Sequence, residues 1–293
     1  MIMKAIIIGA NGQDGFYLNK LLQQEGVMVI GISRSGNFRK VDISNYDECA
    51  QLVNIEKPDF IFHLAANSTT NHNALFENHH TIATGTLNIL EAVKNNSPLT
   101  KVFISGSGLQ FKNNGVPIKE KDSFHANDAY AVSRIQSVYA ARYFRSLGLK
   151  VYVGYFFNHD SPRRTERHVT KMISETAKRI AAVSKEKLLI GDMSVFKEWS
   201  YAGDIVNGIW LLVKQDSIFE ANIGSGIGYS IEQWIKECFR LCKIPLEGNV
   251  VQLSEFKSSY KILVSDNSLI KSVGYNSKVS FEELAKIMLT KHE

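Results

Sequence analysis

In the stretch AYAVSRIQ, Ala129 to Gln136, a tyrosine and an arginine stand four residues apart, at Tyr130 and Arg134. On a helix that spacing puts a phenol and a guanidinium on one face. A phenol so placed can hand a proton to an oxygen that gains charge in a reaction, and a neighbouring cation supports it in that task. A guanidinium keeps its charge and offers several donors, but it relays no proton and is bulkier than an ammonium. Upstream, SGSGLQF (Ser105 to Phe111) adds two hydroxyls. Ser107 is preferred to Ser105 as the group that hydrogen-bonds a reacting oxygen, although either serine could equally stitch the local turn.

A second constellation concerns phosphate. IIIGANGQDGFYL (Ile6 to Leu18) spaces Gly9, Gly12 and Gly15 as GxxGxxG between an apolar run and an amphipathic segment. Gly9 permits a tight turn, Gly12 lets the backbone approach a pyrophosphate, and Gly15 lets a helix pack close to a sheet. Backbone N–H groups at the helix start then face the anion. Asn11, Gln13 and Asp14 belong to the same loop and are counted with the glycines as dinucleotide contacts. The next strand-like run ends GISRSGNFRK, with Arg34 and Ser35 where an acidic residue would hold the ribose hydroxyls of NAD. An arginine there accommodates a 2′-phosphate, so NADP is expected, with NAD as the alternative. Asp42 and Ile43 in VDISN are expected at the adenine, and Leu64, Ala65 and Ala66 are expected to line the cofactor cleft.

The elements that must hold these groups are legible in the hydrophobic rhythm. KAIIIG, VMVIGIS, DFIFHL, KVFISG and KVYVGYF read as strands; NYDECAQLVNIE, ALFENHHTIATGTLNILEAVKNN and NDAYAVSRIQSVYAARYFRSLG read as helices between them. Such alternation predicts an α/β fold, a Rossmann-type doubly wound parallel sheet with a smaller C-terminal α/β substrate lobe. Residues 1–157 form the expected dinucleotide-binding domain, with 186–222 returning to its sheet; 158–185 and 223–293 form the expected lobe. Within the second half, helices are expected near 168–184 and 202–214, with strands in KLLIGD and FEANIG.

Bulk properties set the frame. The chain has 293 residues, 44% of them hydrophobic and 22% charged, with a net charge of +5. That balance suits an anionic small molecule, and no basic run is dense enough to argue for nucleic acid. No apolar run approaches a membrane span, no export signal leads the chain, and the three cysteines (Cys49, Cys238, Cys242) are an odd number; a cytoplasmic location is expected. His79 and His80 have no partners at metal spacing, so no metal is expected.

With these residues in hand, the chain resembles the extended short-chain dehydrogenase/reductases (the NAD-dependent epimerase/dehydratase family), and within them the GDP-mannose 4,6-dehydratase and GDP-4-keto-6-deoxymannose reductase group. The stretches that carry the resemblance are GANGQDGFYL, FHLAANS, GTLNILEAV, AYAVSR, FFNHDSPRR with HVTKMI, EWSYAGDIV and VSDNSLIKSVGYNSKVSFEELAKIM. The resemblance implies a Rossmann-type cofactor domain and a lobe that binds a GDP-linked sugar. It assigns Tyr130 and Arg134 to the nicotinamide end as well as to catalysis, and adds Phe157 and His159 to the cofactor contacts. It implies Ser68, Asn158, Arg163, Arg164, Lys171, Lys197 and Lys257 as substrate contacts. His159 could instead be a structural histidine bonded to backbone.

Departures from the family pattern matter as much. Where the family's segment reads S-T-S-E-L-Y-G, Gly106 stands in place of the threonine and Gly108 in place of the glutamate. A 4,6-dehydratase needs that carboxylate as an acid–base group at C5 and C6. An NADP-dependent C4 reductase of a GDP-linked keto sugar does not, and it is the first expectation. The alternatives are a dehydratase- or epimerase-like enzyme with an atypical site, and a catalytically impaired nucleotide-sugar- or NADP-binding protein. The short SGNFRK loop argues against the family's tetramer, and a homodimer through the fourth and fifth helices is expected.

Overall fold

The computed structural model describes residues 2–253, 258 and 260–290. The first half alternates strand and helix: β1 (Lys4–Ile8), α1 (Gln13–Gln24), β2 (Met28–Ile32), α2 (Tyr46–Glu56), β3 (Phe60–His63), α3 (Leu75–Asn78), α4 (Gly85–Asn96), β4 (Lys101–Ser107), α5 (Ala129–Ser146) and β5 (Val151–Phe156). The second half is more finely divided. β6 (His159–Asp160), α6 (Val169–Ala181), β7 (Leu188–Ile190), β8 (Phe196–Glu198) and β9 (Ser200–Tyr201) lead to α7 (Ala202–Val213) and β10 (Glu220–Ile223). Then come β11 (Gly228–Ser230), α8 (Ile231–Cys242), β12 (Val250–Gln252), β13 (Ile262–Leu263), α9 (Ser268–Lys271) and α10 (Phe281–Leu289).

The main sheet runs β10-β5-β4-β3-β1-β2 and all its pairings are parallel. Its central strands are buried along almost their whole length because helices cover both faces. On one face Leu52, Val53, Ile89, Leu90, Val138 and Ala141 bring α2, α4 and α5 against the sheet. On the other, Leu18, Leu22, Ile205, Ile209 and Trp210 do the same for α1 and α7. β1 pairs with β2 on one side and β3 on the other, so the winding reverses between β1 and β3 and a crevice opens beyond their C-terminal ends. The short loop after β2 adds one parallel bridge, Ile32 to Arg39, to that edge of the sheet.

The lobe has its own core. In α8 the buried positions Ile231, Trp234, Ile235, Cys238 and Phe239 repeat at helical spacing and face Ile173, Ala177 and Ile180 of α6. Trp199 and Trp234 stack with ring centroids 4.7 Å apart at its centre. Glu198, fully buried on β8, accepts from the amide and the hydroxyl of Ser265 at 2.6 Å each, which draws the tail in beside β8.

Two expectations need correction. Of residues 186–222, the part that rejoins the main sheet begins at Ala202: α7 covers its face and β10 pairs with β5, whereas β7 pairs with β12 and β8 with β11 and β13. The run 74–96 is not one continuous α-helix. Between α3 and α4 the chain makes a π-helical segment, His79–Thr84, where His63 Nε2 lies 3.0 Å from the Thr81 carbonyl oxygen. A side chain that takes a carbonyl from the helical ladder widens the turn there.

Candidate active site

A cavity of about 1430 Å³ lies over the crevice. Its floor is the glycine loop. Gly9 has φ +94°, a conformation that favours glycine, and a Cβ there would come within 2.8 Å of the Ala65 amide nitrogen. A Cβ on Gly15 would run into the Gly9 carbonyl oxygen, so the start of α1 sits directly on the strand–helix turn. The loop is therefore a cradle of backbone N–H groups at a helix N-terminus, which fits a dinucleotide pyrophosphate. Asn11, Gly12 and Gln13 line it, and Ile43, Leu64, Ala65 and Ala66 line the adjoining wall.

Asp14, in the first turn of α1, faces His159 of β6 across the join between cofactor domain and lobe. His159 Nε2 lies 2.9 Å from Asp14 Oδ1, and Nδ1 lies 2.7 Å from the Phe157 carbonyl oxygen. Both partners are acceptors, so both ring nitrogens donate and His159 is an imidazolium. Burial by itself disfavours both charges. Their mutual attraction and hydrogen bond win: the carboxyl of Asp14 titrates well below its ordinary range, and the His159 imidazole above its own. Beside this pair, Ser161, two residues on from His159, donates its Oγ to Oε1 of Gln13, the neighbour of Asp14 on α1, at 2.8 Å. Asn158 and Arg164 continue the same wall, both tied to buried Asp160, and Arg163 lays its guanidinium over the Phe16 ring, 4.1 Å from the centroid.

At the other end of the crevice α5 presents Tyr130 and Arg134 to the cavity, its start capped by Asp128, which accepts from the Ala131 amide. The Arg134 guanidinium lies 4.9 Å from the Tyr130 ring centroid and reaches β4, where one nitrogen donates to the carbonyl oxygen of Ser105 and, at 2.8 Å, to its hydroxyl. Ser105 Oγ in turn donates to the His63 carbonyl oxygen, so both its roles are filled. Burial and then the Arg134 charge push the His63 imidazole down to about 3, which leaves it neutral. Ser107 differs: its hydroxyl accepts from the Leu109 amide, and the Gln110 side chain accepts from the Ser107 amide. That capping arrangement uses a lone pair and leaves the Ser107 proton available to an oxygen in the cavity.

The two glycines of SGSGLQF are covered by aromatic rings of the neighbouring strand. A Cβ at Gly106 would come within 2.6 Å of the Tyr155 ring, and one at Gly108 within 2.8 Å of the Phe157 ring. Phe157 thus stands where a side chain at 108 would begin. Among the described residues, the carboxylates that line the cavity are engaged elsewhere: Asp14 with His159, Asp42 with Ser44, Glu48 with the Asp42 amide, and Glu77 with Arg34 and Asn67.

The structure brings together Arg34, Ser35, Asp42, Ser68 and the other expected residues named above on one cavity wall or another, except for the lysines: two lie elsewhere and the third, Lys257, is outside the described residues. Lys171 and Lys197, expected as phosphate contacts, lie outside the cavity lining. Lys171 turns along α6 to Glu175 at 2.7 Å, and Lys197 is buried with its ammonium 5.0 Å from the Trp199 ring centroid. Burial pushes the Lys197 ammonium down to about 8 despite Asp160 nearby. In their place the cavity gains Lys40, Glu77, Arg167, His168 and Tyr260, none of which was singled out from sequence. Arg167 and His168 follow NHDSPRR so closely that the motif could have included them; Glu77 and Tyr260 carry no local signal. Among the described residues, no three His, Cys, Asp or Glu side chains gather as a metal site, and no helix is long and apolar enough to cross a membrane.

Comparison with known proteins agrees with this geometry. The family model for GDP-mannose 4,6 dehydratase matches residues 6–288. GDP-mannose 4,6 dehydratase 2 of Arabidopsis thaliana is 29% identical over 321 residues, covering 97% of this chain and 85% of that protein. GDP-mannose 4,6-dehydratase of Vibrio cholerae is 32% identical over 267 residues, covering 80% of this chain and 71% of that protein. Among solved structures, UDP-glucose 4-epimerase of Thermotoga maritima with UDP-glucose superposes with a TM-score of 0.86 at 22% identity over 98% of this chain and 97% of that one. RMD from Pseudomonas aeruginosa complexed with NADPH gives 0.87 at 19% identity, with coverage of 98% and 97%. At these identities the structural likeness shows the fold.

Two outcomes follow from the site. Gly108→Glu should lose about 1–3 kcal/mol of stability by crowding Phe157, and adding Phe157→Ala should cost less than the sum of the two single changes, as a double-mutant cycle in denaturant would measure. For Asp14 and His159, the raised imidazole stabilises the fold fully below its unfolded value near 6.5 and ceases to do so as pH climbs through the higher folded value; the lowered carboxyl stabilises above about 4 and ceases to do so as pH falls. The melting-temperature advantage of the wild type over His159→Gln should therefore be largest between roughly pH 4 and 6.5 and shrink towards pH 9.

Proposed function

The chain belongs to the GDP-mannose 4,6-dehydratase family, and from that premise we propose that it is an NADP-dependent oxidoreductase that reduces the C4 carbonyl of a GDP-linked keto sugar. The observation that carries this reading is the Phe157 ring packed over Gly108, in a cavity where the carboxylates of the described residues are held by other partners. Elimination of water from a sugar needs an acid–base group beside C5 and C6, and this wall offers hydrocarbon instead. Reduction of a carbonyl needs one proton and one hydride.

When bound, a dihydronicotinamide supplies the hydride to the carbonyl carbon. The backbone cradle at Gly12 and Gln13 holds the pyrophosphate, and Arg34, Ser35 and Lys40 meet the 2′-phosphate of NADP. Tyr130 gives its phenolic proton to the carbonyl oxygen as the alcohol forms and regains one from solvent. Ser107 donates a hydrogen bond to the same oxygen and so stabilises the charge that builds there. Arg134 positions the pair, with one guanidinium nitrogen on Ser105 and its flat face against Tyr130. Arg163, Arg164, Arg167 and His168 form the cationic end that suits the diphosphate of the sugar nucleotide.

A dehydratase-like activity is the second reading, favoured by the family match along nearly the whole chain. The decisive assay incubates the protein with GDP-4-keto-6-deoxymannose and NADPH and follows nicotinamide absorbance. Turnover should fall at least about 100-fold in Tyr130→Phe, and about tenfold in Arg134→Lys, whose ammonium lacks the flat guanidinium face that lies against Tyr130. Conversion of GDP-mannose to its keto product would overturn the reductase reading.

The reading includes a homodimer. Tyr139 and Tyr143, 58% and 59% exposed and one turn apart on α5, lie on the helical face of the fold together with exposed Leu87 of α4. Light scattering should give twice the chain mass, and Tyr139→Asp with Tyr143→Asp should give the monomer.

A further inference from the structure

The adenosine end of the cavity carries two kinds of recognition at once. Cations come from the loop after β2. Lys40 closes that loop, its ammonium donating to the carbonyl oxygens of Gly36 at 2.7 Å and Ser33 at 3.1 Å. Ser35 is fixed by Asn11, whose amide donates to its hydroxyl at 2.8 Å. Arg34 alone reaches across the crevice: its guanidinium donates to Glu77 Oε1 at 3.0 Å. The other oxygen of Glu77 accepts from Asn67 at 2.8 Å, so a carboxylate from α3 links the β2 loop to the segment after β3. Glu77 lines both the main cavity and a smaller one of about 420 Å³ beside it.

A carboxylate and a phosphate monoester are recognised by the same guanidinium fork, and they repel one another. A carboxylate is also what a dinucleotide fold uses to hold an unphosphorylated ribose, whereas an arginine accommodates the phosphorylated one. Here the two stand in contact, supplied by different elements. We propose that Glu77 is a specificity-determining residue that competes with the 2′-phosphate of the cofactor for Arg34, and so restrains the preference for NADPH over NADH. This rests on the NADP reading given above. With no phosphate present, Arg34 stays on Glu77; a 2′-phosphate must displace the carboxylate or share the guanidinium with it. An unphosphorylated ribose meets no such conflict, and its hydroxyls can donate to Glu77.

The side chains of Arg34 and Glu77 are 74% and 42% exposed, so the effect is that of a screened surface pair. The experiment titrates NADPH and NADH into the full-length protein and reads affinity from the change in nicotinamide fluorescence, with no turnover required. Glu77→Gln should tighten NADPH roughly threefold to fivefold at low salt and leave NADH unchanged or slightly weaker. The gain should shrink at about 0.5 M salt, where the Debye length is only a few ångströms. Glu77→Asp, which keeps the charge, should stay near the wild type. NADPH binding that is weakened or unaltered by Glu77→Gln would overturn the proposal and make Glu77 a support that aims Arg34. Failure of the NADP reading looks different: the wild type would bind NADH more tightly than NADPH, and Arg34→Ala would leave NADPH affinity unaltered.

Discussion

The buried pair between Asp14 and His159 is the constraint on which the cavity depends. Asp14 belongs to the helix that opens the glycine loop, and His159 to the segment that carries Arg163, Arg164 and Arg167. With Ser161 on Gln13 one step further along, the pair locks the N-terminus of α1 to the start of the lobe. An ion pair in such a place contributes little simply by existing, because two charges have left water to form it. Removal of one partner leaves the other charged and dry, a loss of about 3–5 kcal/mol. The pair therefore acts less as a source of stability than as a register mark: it fixes where the cationic segment 158–168 stands relative to the pyrophosphate cradle.

The opposite end of the crevice shows how a site can lose polar groups without losing its packing. Gly106 on β4 and Gly108 just beyond its end have no side chain to fill the space beside them. Here the rings of Tyr155, on β5, and Phe157, just past it, lie over them. The result is an apolar wall next to a tyrosine and a serine that face the cavity. Arg134 completes the arrangement. It is buried, its hydrogen bonds to the carbonyl and hydroxyl of Ser105 tie α5 to β4, and its guanidinium lies against the Tyr130 ring.

Much of this was legible from residues close in sequence. GxxGxxG declares its turn because only glycine tolerates the close approaches at Gly9 and Gly15, and AYAVSRIQ declares its face because helical spacing is a local property. The lysines were misread for a corresponding reason. Sequence shows that Lys171 and Lys197 are positive, but not that the first is drawn to Glu175 one turn along its own helix, nor that the second is packed on Trp199. The run 74–96 has a helical period throughout, and nothing in it announces that His63, from another strand, meets the Thr81 carbonyl.

The sequence by itself determined the doubly wound architecture, the dinucleotide cradle, the tyrosine–arginine pair and the absence of a carboxylate at position 108. Those are matters of period, of glycine sterics and of which atoms exist. Only the tertiary structure decided that Phe157 covers Gly108, that His159 is a cation because it meets two acceptors, and that Glu77 faces Arg34 across the crevice. Each of these joins groups from separate elements, and the direction in which a side chain points is set by the packing around it rather than by its neighbours in the chain.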